Sequence, residues 1–162
     1  MTEDDVTRLA RALGRKCLKK RVVVATAESC TGGGVATAIT RISGSAKWFD
    51  RGFVTYSNDA KREMLGVSRT SLRRHGAVSE EVAREMALGA LRHSPADICV
   101  AITGIAGPTG GSRAKPVGLV WFAWAARGQL VQTRRFRFAG NRVAVRLQSV
   151  GVAIQGLSDL LG

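Results

Sequence analysis

The stretch VVVATAESCTGGG, Val22 to Gly34, decides how this chain is read. Val22 to Thr26 is a β-branched run of the length expected for a short buried strand, and Thr31 to Ile42 is small and apolar enough for a closely packed helix. Between them Ser29, Cys30 and Thr31 stand side by side, followed by Gly32, Gly33 and Gly34. Two readings compete: a Ser or Thr cap with glycines for tight helix–sheet packing, or a turn whose N–H groups and hydroxyl meet a ligand. The segment is neither G-x-G-x-x-G nor the P-loop pattern, whose lysine is missing. Its place at a strand-to-helix corner favours function, because ligands in open α/β sheets lie beyond the carboxyl ends of strands.

On the N-terminal side, Val6, Leu9, Ala10, Leu13 and Cys17 form one stripe of a helix opening at Asp4 or Asp5. On the other side, Gly52 to Ser57 predicts a second strand and Asn58 caps the helix after it. Ser79, with Glu80 and Glu81 behind it, starts a helix that runs to about His93. Asp97 to Thr103 is a third buried strand, and the glycine-rich GIAGPTGGSRAKP, residues 104–116, is a loop. Val117 to Ala126, apolar on both faces, is a central strand, with Leu130 to Phe138 as its antiparallel neighbour nearer an edge. The last helix starts at Asn141, and its seam of Val143, Leu147, Val150, Ile154, Leu157 and Leu161 packs on the sheet or on a second subunit. The expectation is one α/β domain over residues 1–162, a mixed β-sheet sandwiched between helices in three layers, α/β/α.

Three widely spaced cysteines, Cys17, Cys30 and Cys99, argue for reduced thiols and against a zinc site. The acidic MTEDD start is unlike a signal peptide, and no apolar run is long enough to span a bilayer, so the expected setting is cytoplasmic, with no membrane partner. A net charge of +13 favours anionic partners: nucleotide phosphates, nucleic acid or a membrane surface. The cations are spread along the chain without interleaved aromatics, and Tyr56 is the only tyrosine, so nothing resembles a base-stacking platform. A generally basic surface explains the charge as well as a specific anion site does.

Three features carry chemistry. The glycine turn and the 104–116 loop belong at one sheet edge if their strands are parallel. In YSNDAK, residues 56–61, Lys61 falls near the positive pole of a helix, where a screened ammonium loses its proton more readily and becomes a usable base. A serine hydroxyl needs such a base to attack a carbonyl, and His75 and His93 look like surface or helix-end residues. The plain alternative for Lys61 is an exposed lysine offset by Asp59. Cys30 is a rival nucleophile if a helix N-terminus lowers its thiol pKa. Arg142 and Arg146, four residues apart, share a face and either fork onto a phosphate or face solvent.

AESCTGG, WFDRGFVTYSNDAKREMLGV, GAVSEEVAREMALGAL and ITGIAGPTGGSRAKPVGLVWFA, in this order, resemble the CinA C-terminal domain family, whose stand-alone members are nicotinamide-nucleotide amidases. The resemblance covers most of residues 5–160. It implies hydrolysis of the carboxamide of nicotinamide mononucleotide to nicotinate mononucleotide and ammonia, with no metal and no cofactor. Carried onto this chain, it implies Ser29, Tyr56 and Lys61 as catalytic residues, Thr103, Gly104 and Gly107 along the substrate pocket, and Arg142 facing the nucleotide. The accompanying hypothesis is that Ser29 attacks the carbonyl, Lys61 takes its proton directly or through Tyr56, and N–H groups from Thr31, Gly32 and Gly33 stabilise the oxyanion. The resemblance and the apolar seam of the last helix together favour a homodimer. Competing readings are a basic nucleic-acid-binding or competence-associated module and a nucleotide-binding member without turnover.

Overall fold

Thr2 and Asp5 cap one another to open the first helix, α1 (Glu3–Lys20), which closes on Arg21 in the left-handed region. The computed structural model describes residues 1–162. β1 (Val24–Glu28), α2 (Gly34–Thr40), a 3-10 turn (Ser45–Lys47), β2 (Phe49–Val54), α3 (Asn58–Leu65), α4 (Arg69–His75) and α5 (Glu80–Arg92) follow in order. β3 (Ile98–Gly104), β4 (Leu119–Ala126), β5 (Gln132–Arg137) and α6 (Arg142–Leu160) complete the chain.

The five strands form one sheet in the order β2-β1-β3-β4-β5. β1 is parallel to both β2 and β3, whereas β3, β4 and β5 run antiparallel. This is the mixed sheet the sequence predicts. Two cores flank it. On one face α1, α2 and α6 bury Val6, Leu13, Ile39, Trp48, Ile154 and Leu157 against Val100 and Phe122. On the other, α3 and α5 bury Leu65, Val82, Met86 and Leu91 against Ala101 and Ala123. Each such side chain supplies roughly 1.5–3 kcal/mol by leaving water. Trp48 lies so close over Gly14 that a β-carbon there would be 2.9 Å from its ring.

Several boundaries differ from the sequence reading. The glycine turn delays α2 from Thr31 to Gly34, because Gly32 and Gly33 sit at φ +56 and +93 and break helical geometry. β2 lies three residues earlier than predicted, since an exposed edge strand lacks the alternating apolar signal. α3 is capped by Ser57, not Asn58: the Ser57 hydroxyl accepts from the Ala60 N–H at 3.0 Å. The seam of α6 buries Val150, Ile154, Leu157 and Leu161, but Val143 is 71% exposed. No helix is long and apolar enough to cross a membrane.

Candidate active site

The parallel pairing brings the chemistry together. Glu28 lies opposite Val54 of β2 on one side and Ile102 of β3 on the other, so three strands end at the same edge. The ladder continues briefly beyond β1: Ser29 N–H donates to Ile102 O and Thr55 N–H to Glu28 O, each at 2.9 Å. These bonds set Ser29 beside Thr55. The first turns of α3 then carry Lys61 back over the strand ends, with its Nζ 3.0 Å from Ser29 Oγ and 3.0 Å from the Thr55 carbonyl.

Lys61 is 2% exposed, so it is not the solvated lysine of the plain alternative, and Asp59 pairs instead with Arg62. Burial holds the Lys61 amine below its ordinary 10.5, with the neighbouring Cys30 sulfur acting in the opposite sense. With its amine neutral, Lys61 can accept the serine proton across the same 3.0 Å. Cys30 is a poor rival, because burial pushes its thiol up to about 12.

Ser29, Tyr56, Lys61 and Arg142 line one cavity of about 220 Å³, walled by Ala77, Val78, Gly104 and Ala106. Tyr56 stands at the rim, 61% exposed, and its hydroxyl accepts from Arg142 Nη2 at 2.6 Å. Arg142 Nη1 donates to the Gly107 carbonyl at 2.9 Å, so one guanidinium joins the β2–α3 connection to the glycine loop. Thr103 is buried behind the wall, where its hydroxyl donates to Ala77 O at 2.8 Å and fixes the segment that lines the cavity.

The glycine turn faces a different space. Thr31, Gly32, Gly33 and Gly34 line a neighbouring hollow of about 300 Å³ with Arg41 and Arg146. That larger hollow contains no nucleophile–base pair. Arg142 and Arg146 therefore separate, the second donating through Nη2 to Thr31 O at 3.1 Å. The N-terminus of α2 is also already filled. Glu28, fully buried, accepts from the N–H groups of Val35 at 2.9 Å and Ala36 at 3.0 Å, and from the hydroxyls of Thr31 at 2.8 Å and Thr26 at 3.2 Å. The N–H groups of Thr31 and Gly33 meet no carbonyl of the protein, and that of Cys30 faces its own sulfur. Glu28 is a site residue that sequence spacing does not single out. Its one signal there is an acidic residue ending an otherwise apolar strand.

The CinA C-terminal domain family model matches residues 6–161. The chain is 54% identical over 158 residues to the nicotinamide-nucleotide amidohydrolase PncC of Escherichia coli strain K12, covering 97% of this chain and 95% of that protein. It is 50% identical over 157 residues to the Pseudomonas putida protein of the same name, covering 97% and 98%. The crystal structure of competence/damage inducible protein CihA from Agrobacterium tumefaciens superposes with a TM-score of 0.96 at 48% identity, covering 98% of this chain and 96% of that one.

Proposed function

The chain belongs to the CinA C-terminal domain family, and from that premise we propose that it is a nicotinamide-nucleotide amidohydrolase, converting nicotinamide mononucleotide and water to nicotinate mononucleotide and ammonia. The observation that carries the reading is the 3.0 Å contact between the buried amine of Lys61 and the hydroxyl of Ser29 inside a cavity. Ser29 Oγ attacks the carboxamide carbonyl while Lys61 takes its proton. Lys61 then returns that proton to the departing nitrogen, which leaves as ammonia and exposes an acyl ester on Ser29. Water, deprotonated by Lys61, cleaves the ester. The 3.0 Å contact favours direct transfer over a relay through Tyr56.

The developing oxyanion is assigned to N–H groups of the turn that follows the nucleophile, each donor being worth roughly 3 kcal/mol in the transition state. Arg142, at the rim, is assigned to the nucleotide phosphate, with Tyr56 as the hydroxyl it releases on doing so. Binding energy from the phosphate, remote from the reacting amide, is then available for orientation. A cytoplasmic setting fits the three buried free thiols, and a homodimer over the exposed Val143 turn of α6 completes the reading. The test is a paired assay of purified protein: nicotinamide mononucleotide gives ammonia and nicotinate mononucleotide in equal amounts, while free nicotinamide reacts far more slowly. Equal rates on both would remove Arg142 from its assigned role, and no ammonia from either would refute the activity.

A further inference from the structure

We propose that Glu28 is a positioning residue, whose buried carboxylate, with the guanidinium of Arg146, holds Thr31 from two sides and thereby fixes the turn that presents the Ser29 hydroxyl. The inference rests on the amidohydrolase reading above and assigns work to residues that touch none of the reacting atoms.

Glu28 makes no ion pair with Lys or Arg, yet it is fully buried and both of its oxygens are satisfied twice. A buried carboxylate is tolerated only when its acceptors are used in this way. Three of the four donors, the Thr31 hydroxyl and the N–H groups of Val35 and Ala36, lie beyond Ser29 in the chain. The carboxylate thus ties the far side of the turn back to the end of β1, across the nucleophile. Between those ends Gly32 and Gly33 have no side chains to anchor and occupy the left-handed region. Thr31 is the side-chain anchor, buried, with its hydroxyl on Glu28 and its carbonyl on Arg146 Nη2 at 3.1 Å. Thr31 follows Ser29 by two residues, and the Gly32 N–H donates to the Ser29 carbonyl at 2.9 Å, so a shift of Thr31 moves the turn that aims Ser29 Oγ at Lys61. Small misplacements of this kind cost catalysis steeply. The Lys61 amine is lowered chiefly by its burial.

The test uses Glu28→Gln, which keeps the shape but replaces an acceptor oxygen with a donor, together with Thr31→Val and Thr31→Ser. Each protein is checked for cooperative thermal unfolding. kcat and KM for nicotinamide mononucleotide are then measured across pH, and the rate of Ser29 sulfonylation by phenylmethylsulfonyl fluoride is followed by intact mass. Glu28→Gln is expected to lose on the order of 10²-fold in kcat, with KM and the position of the pH limb held. Thr31→Val should fall in the same sense, Thr31→Ser should recover, and sulfonylation should slow in parallel. A folded Glu28→Gln or Thr31→Val protein with wild-type kcat and sulfonylation rate overturns the proposal, as does a Thr31→Val loss that serine does not restore. If Glu28→Gln fails to fold, the Thr31 pair decides. Wild-type protein that is sulfonylated at Ser29, slows with these variants, yet releases no ammonia would sink the amidohydrolase reading and leave the positioning role standing. Wild-type protein that does neither contradicts both.

Discussion

Replacing Lys61 by alanine removes the base while leaving the space it filled. The lost side chain is buried, its Nζ is held by Ser29 Oγ and the Thr55 carbonyl, and no other lysine or histidine lines the cavity. General-base assistance is worth roughly 10²–10⁴ in rate, so kcat/KM should fall by at least that factor. Three lost methylenes at ~0.8 kcal/mol each predict a stability cost of about 2 kcal/mol, small enough for the variant to remain folded for assay. The vacated channel should admit a small primary amine. Added ethylamine is expected to restore product formation, measured as nicotinate mononucleotide by chromatography. Only the neutral amine can accept the Ser29 proton, so rescue at fixed total amine must grow as pH rises toward the amine's own pKa. In the wild-type protein kcat/KM should instead climb with pH only up to the lowered pKa of Lys61, a limb the variant lacks. A Lys61→Ala protein within tenfold of wild type, or rescue that follows the protonated amine, refutes the assignment of the base.

Two further outcomes follow from the same geometry. Because the folded state lowers the Lys61 pKa, the unfolded chain binds the extra proton between that lowered value and 10.5. Wild-type stability relative to Lys61→Met should therefore rise with pH across that window and be flat below it, as read by urea unfolding at a series of pH values; a fall across the window would be inconsistent with a desolvated amine. Gly104→Ala would put a β-carbon 2.7 Å from Val120 Cγ2 and 2.9 Å from the Leu119 carbonyl, at the end of β3 where the cavity wall begins. Overpacking against backbone should cost about 1–3 kcal/mol and lower Tm by several degrees; an unchanged Tm would show that β4 yields freely there.

The sheet was legible because its strands announce themselves. β1, β3 and β4 are apolar runs bounded by turns, and the alternation of helices and strands early in the chain already implies parallel pairing. The bounds of edge strand β2 are not legible in FDRGFV, which mixes exposed polar and apolar residues without a burial rhythm. α4, cationic and without a buried residue, carries no apolar stripe by which a sequence would show it. Ser29 and Lys61 were legible as residue types in suitable local settings, but their contact spans 32 residues and depends on the β1–β2 register, which spacing alone does not encode. Ser57 and Asn58 are both good caps, and only the hydroxyl's reach to Ala60 distinguishes them. The role of Glu28 is hidden in the sequence for a related reason. A carboxylate inside a strand reads as solvent-facing until the fold supplies four donors to it.

The central claim is that one serine hydroxyl and one buried amine hydrolyse a nucleotide carboxamide. Ammonia release from nicotinamide mononucleotide by the wild-type protein and by Ser29→Ala, run side by side at equal protein concentration, tests it most directly. Steady ammonia release from the first and essentially none from a folded Ser29→Ala protein is the expected result. Turnover that survives the loss of the hydroxyl, or a wild-type protein that leaves the carboxamide untouched, would contradict it.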